Sequence, residues 1–221
     1  MHPYSLRLLS LRLLSPAALI LLLLLFCGPA SAQTRQRPPA APPSPSSVLG
    51  FTPGDDRKVA DWRQITDYFA RLDEASPRVA VREIGRTTLN RPLVVAFVSA
   101  PENIRNLAKY QETGRRLADP RLAMSEAERD RLVAEGKTVV AVSCSIHSTE
   151  IVASQMSMQL AYELAAADDE ETREVLQNTI LILIPSANPD GVRIVGDWYK
   201  RTYGSPHDEH RFRTGAANRQ L

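Results

Sequence analysis

The chain has 221 residues, with 27 basic and 25 acidic side chains and a formal charge of +2. Arg7 and Arg12 are the only charged residues among the first 32, so the rest of the chain carries 25 charges of each sign. That balance, with no basic stripe, argues against broad binding to nucleic acid or to membrane surfaces.

The N-terminus reads as an export signal. Arg7 and Arg12 supply positive charge, Ala17 to Phe26 is apolar, and Ala30-Ser31-Ala32 is a small-residue cleavage site before Gln33. Residues 1–32 are therefore expected to be removed, placing the mature protein in the periplasm or outside the cell. The apolar run is shorter than the ~20 residues a bilayer span requires, so no stable membrane association is expected after cleavage. Cys27 leaves with the signal and Cys144 remains alone, which excludes an intramolecular disulfide. Cys144 lies in an apolar run and reads as a small core residue. Residues 33–50 form a linker; its Pro/Ala/Ser stretch, Gln33 to Ser47, predicts extended, unpacked chain. From about Phe51 onward roughly 170 residues remain, enough for one domain, taken as 51–221.

Within that domain Asp61 is a candidate N-cap for a helix whose apolar stripe is Trp62, Ile65, Phe69 and Leu72. Ser76-Pro77 stops it. Val79 to Ile84 and Leu93 to Ser99 are strand-like, joined by a hairpin over Gly85 to Pro92. Asn103 to Leu117 and Ser125 to Glu135 favour helix around an Asp119-Pro120 break. An apolar strand from Thr138 follows, then a helix from about Thr149 to Ala167, a short helix over Glu170 to Leu176, and a second apolar strand at Thr179 to Ile184. Strands alternating with helices, two of them continuously apolar, predict an α/β fold: a mixed, mostly parallel sheet flanked by helices on both faces. Ligands on such sheets gather at the carboxyl ends of strands.

Two motifs sit at those ends. His147-Ser148-Thr149-Glu150 follows the run Thr138 to Ile146, and residues three apart in a first helical turn share a side. An imidazole and a carboxylate so placed form half of a two-His, one-Glu zinc site. Asn188-Pro189-Asp190-Gly191 follows the second strand and reads as a tight turn, in which Asn and Asp bond their own backbone and Pro presets φ.

Together with Gly85-Arg86-Thr87-Thr88-Leu89-Asn90-Arg91-Pro92, these motifs resemble the zinc metallocarboxypeptidase family, the carboxypeptidase A-like peptidases, over roughly Trp62 to Tyr203. The resemblance implies a mixed, eight-stranded sheet, a peptide or peptide-like substrate, and zinc held by His147 and Glu150. It further implies a third His and a general-base Glu well downstream. His207 and His210, in a polar tail with no core strand before them, read as solvated loop residues instead. On that basis the 221 residues are expected to form the N-terminal part of a catalytic domain, inactive alone.

By the same resemblance Arg201 is the candidate for stabilising the oxyanion, and Asn218-Arg219 for holding the terminal carboxylate of a substrate. A planar guanidinium suits that bidentate task. Thr149 stands where classical members often carry a substrate-binding Arg, and the polar insertion Asn103 to Glu135 also departs from the small digestive enzymes. Two alternatives stay open: a zinc-dependent amidase or deacylase of the same fold, and a non-catalytic pseudo-peptidase that binds peptides.

Overall fold

The computed structural model describes residues 41–203. The expected signal, the expected linker up to residue 40, His207, His210, Asn218 and Arg219 lie outside the described residues.

The first described element corrects one expectation. The Pro-rich segment turns helical as α1 (Pro45–Leu49), with Ser44 as its cap, and buries Pro45. Tyr68 donates to the Pro43 carbonyl at 3.3 Å, tying this segment to the core. Proline suits the first helical turn because its missing N–H would be unpaired there.

Helix α2 (Trp62–Ala75) starts as the sequence predicts. Asp61 accepts from the Gln64 N–H while the Gln64 side chain accepts from the Asp61 N–H, a reciprocal capping box. Its buried stripe is Trp62, Ile65, Tyr68, Phe69 and Leu72. Strands β1 (Val79–Arg86) and β2 (Pro92–Val98) then pair antiparallel, with an irregularity in register between Glu83 and Gly85. The polar stretch that follows forms three helices: α3 (Pro101–Arg105), α4 (Leu107–Ala118) and α5 (Glu126–Glu135). Next come β3 (Thr138–Ser143), α6 (Ile151–Ala166), α7 (Glu170–Asn178), β4 (Thr179–Ile184) and α8 (Pro189–Thr202).

The described strands form one mixed sheet in the order β1-β2-β4-β3. β2 pairs antiparallel with β4, and only β3 with β4 is parallel. The sheet is thus mostly antiparallel, not mostly parallel. The reason is connectivity: the short turn between β1 and β2 forces one antiparallel pair, whereas β3 and β4 are joined through two helices and can run side by side.

A second correction concerns β3. Its apolar run predicts burial on both faces, and β4 meets that expectation, but Thr138 to Ala141 are exposed. Apolar composition shows that a strand tolerates cover on both faces; it does not supply the covering element, and β3 is the edge of the described sheet. The core lies instead among α2, α6 and strands β1, β2 and β4, with Phe69, Leu72, Val98, Met158 and Leu183 fully buried. Cys144 belongs to this core, and burial pushes its thiol up, as a structural cysteine requires.

Candidate metal centre

β3 and β4 run parallel, so their carboxyl ends meet on one edge of the sheet. The ladder continues past β3: the Cys144 N–H donates to the Ile184 carbonyl at 3.0 Å, and the Ala187 N–H to the Cys144 carbonyl at 2.8 Å. The two motifs are thereby stitched together before either leaves the sheet.

Beyond Cys144 the chain reverses. Ser145 takes φ +48°, a left-handed conformation that few residues other than glycine adopt. His147 and Glu150 then close on each other. His147 Nδ1 lies 2.8 Å from Glu150 Oε1, the His147 N–H donates to Glu150 Oε2 at 3.0 Å, and the Glu150 N–H donates to the His147 carbonyl at 3.0 Å. The pair faces outward, its side chains 76% and 44% exposed. Its geometry corrects the expected one in detail. Helix α6 begins at Ile151, so Glu150 is the residue before it, and the two side chains meet across a tight turn, not along a helical face. The hydrogen bond from the His147 ring, then that from its backbone N–H, holds the Glu150 carboxyl below the usual carboxylate range. Glu150 is therefore ionised at neutral pH.

The Asn188 motif does more than turn the chain. Asn188 caps α8, accepting from the Gly191 N–H at 2.9 Å, with Pro189 in the first helical position. Its amide Nδ2 donates to the Ile146 carbonyl at 3.2 Å, one residue before His147. Gly191 is required by space: a Cβ there would stand 2.6 Å from Asn188 Nδ2 and 2.9 Å from Asn188 Cγ, and would overlap Ser148 Oγ.

Asp190 anchors the β1–β2 turn beside this corner. It accepts from Thr87 Oγ1 at 2.8 Å, from the Leu89 N–H at 3.2 Å and from Arg91 Nη1 at 2.6 Å. All three sequence motifs therefore converge on one edge of the sheet. Burial alone raises the Asp190 carboxyl, but the bonds from Thr87, Arg91 and Leu89 outweigh it and leave the group below the usual range. Because the unfolded value is ~3.9, its stabilising contribution is complete above that pH and is lost as pH falls through the lower folded value. Asp190→Asn is expected to lower the melting temperature at neutral pH and to flatten the acid limb of stability below about pH 4. Thermal melts across that range check it, and an unchanged acid limb in the variant contradicts it.

Arg201 is exposed in the last turn of α8. It lies twelve positions beyond Pro189, which at 1.5 Å per residue is about 18 Å of helix axis away from the end that touches the His147 loop. The structure thus brings His147 and Glu150 together and leaves Arg201 at the far end of its helix. Among the described residues no third His, Cys, Asp or Glu joins the pair. Sequence reading passed over Asp190, Asn188 and Ser145 as individual residues. The first two lie inside a motif it did single out, but nothing in the sequence marks Ser145.

Residues 65–219 match the zinc carboxypeptidase family. No curated protein sequence matches the chain significantly. Among solved structures, thrombin activatable fibrinolysis inhibitor is similar at 14% identity and a TM-score of 0.45, over 68% of this chain and 31% of that one. The bovine form of that inhibitor, in complex with tick carboxypeptidase inhibitor, gives 15% identity and 0.41, over 63% and 34%. Carboxypeptidase A from Helicoverpa armigera gives 17% and 0.44, over 74% and 33%. The chain spans about a third of the length of these structures. Since the family match extends over most of the sequence and takes in the His147, Glu150 and Asn188 motifs, the chain belongs to the zinc carboxypeptidase family.

Proposed function

We propose that this chain contributes to a zinc-dependent peptidase of the carboxypeptidase type, with His147 and Glu150 as two of the protein ligands. The observation that carries the proposal is the outward-facing pair itself, with donor atoms 2.8 Å apart at the carboxyl end of β3. The fit is close. Two donors on one tetrahedral zinc at ~2.1 Å stand about 3.4 Å apart, so a few tenths of an ångström of side-chain movement admits the ion. The donor types also suit zinc, and Glu150 is already in the ionised form a ligand needs.

Zinc, when bound, polarises a scissile carbonyl and brings a bound water towards neutral pKa. The chain's own residues position the rest. His147 and Glu150 fix where the reacting carbonyl must lie; Arg201, at the far end of α8, stands too far from that turn to meet developing negative charge on its oxygen. Asn218 and Arg219 are candidates for gripping the substrate's terminal carboxylate, through the guanidinium fork that a carboxylate fits. The N-terminal signal supports export, so the substrate would be a peptide met in the periplasm or outside the cell.

Substrate class is testable in the full-length protein with paired peptides, one ending in a free carboxylate and one in a carboxamide. The free-carboxylate peptide is expected to be cleaved faster, with activity abolished by a zinc chelator. Faster cleavage of the amide contradicts the carboxypeptidase reading and favours an amidase. The absence of any zinc-dependent cleavage favours a peptide-binding role.

A further inference from the structure

We propose that Ser145 is a positioning residue for the His147–Glu150 pair, acting through its hydroxyl as the hub of a buried polar network. The inference rests on the preceding section only for the identity of the metal. Ser145 Oγ donates to the Glu150 carbonyl at 2.5 Å, spanning the whole ligand turn from its entrance to its exit. Ser154 Oγ, one turn into α6, donates to Ser145 Oγ at 2.8 Å and so orients that hydroxyl. Ser186 Oγ, after β4, donates to the Ser145 carbonyl at 3.3 Å. Asn188, at the start of α8, completes the set: its amide donates to the Ile146 carbonyl and its backbone N–H donates to Ser186 Oγ at 3.0 Å.

The three serines are 3%, 0% and 0% exposed. Hydroxyls that deep are costly unless bonded, and here all of them bond to the segment carrying the two ligands or to its neighbours. The backbone makes the same point. A left-handed Ser costs more than a left-handed Gly, so a position whose only task was to reverse the chain would favour glycine. What serine adds over glycine at this place is one hydroxyl, and that hydroxyl reaches Glu150. A turn exposed on its outer face and tied on its inner face keeps both donor atoms at one spacing before any ion arrives, which is how preorganised sites avoid ordering costs.

Ser145→Gly separates the two roles, because it relieves the positive φ while removing the hydroxyl. In the metal-free chain, amide exchange at His147 and Glu150, whose N–H groups close the turn, is expected to quicken about tenfold, the factor one such hydrogen bond carries. Amides of β4 are expected to keep their rates. Ser154→Ala, which leaves the Ser145 backbone untouched, is expected to give the same pattern more weakly. Unchanged exchange at His147 and Glu150 in both variants overturns the proposal, as does uniform acceleration across the sheet, which would make the network merely structural. Zinc affinity, read by chelator competition, is expected to fall with Ser145→Gly in parallel. If the wild-type chain binds no zinc while the exchange pattern is selective, the zinc reading fails and the positioning role stands.

Discussion

Glu150→Gln is expected to weaken zinc binding by more than about 100-fold, the upper range for partners that act only behind a ligand. The substitution is nearly isosteric. It removes the negative charge and leaves the His147 N–H an oxygen to bond, so the turn itself should persist. Because the side chain is 44% exposed, the metal-free variant is expected to melt close to the wild type. A ligand that binds the folded state and not the unfolded one stabilises it, so excess zinc is expected to raise the wild-type melting temperature and to leave that of the variant nearly where it was. Equal zinc-induced stabilisation in the two proteins would remove Glu150 from the ligand set.

Phe69→Ala is expected to have the largest effect on the fold, about 3–5 kcal/mol. Phe69 is fully buried in α2, edge-on to Tyr68 with ring centroids 5.7 Å apart, in the cluster that includes Val98, Met158 and Leu183. A ring removed there leaves a cavity in that cluster, and the rigid neighbours fill it only in part. Against a typical total of ~5–15 kcal/mol, such a loss is a large share of the stability. Denaturant unfolding measures it directly. A cost under about 1 kcal/mol would mean that α2 does not pack as described.

Much of the fold was legible because the signals were local. Asp61 was readable as an N-cap, and the stripe Trp62, Ile65, Phe69 and Leu72 appears on the buried face of α2. The turn between β1 and β2, the helix over Ser125 to Glu135 and the two apolar strands were likewise readable from neighbouring residues. What failed was non-local. The sheet's predominant direction depends on β2 meeting β4, a pairing that no stretch of sequence announces. The exposure of β3 depends on what covers it, which its valines do not record.

Helix α8 was missed for a different reason. Asn-Pro-Asp-Gly carries both turn chemistry and the signature of a helix start, with a capping Asn and Pro in the first position. Reading the Gly as a turn residue concealed the second meaning. The candidate site was half legible in the same sense. His147 and Glu150 were named from their spacing, although a turn and not a helical face brings them together. The supports were not legible. Asp190 meets Arg91 across 99 positions, and Ser145 meets Ser186 across 41, distances at which a single sequence offers no pattern.

Whether His147 and Glu150 hold a metal ion is decided by anomalous diffraction from zinc-soaked crystals. A peak at the zinc edge is expected within about 2.1 Å of both His147 Nδ1 and a Glu150 carboxylate oxygen. A fully occupied zinc peak elsewhere on the protein, with His147 and Glu150 still bonded only to each other, would contradict it.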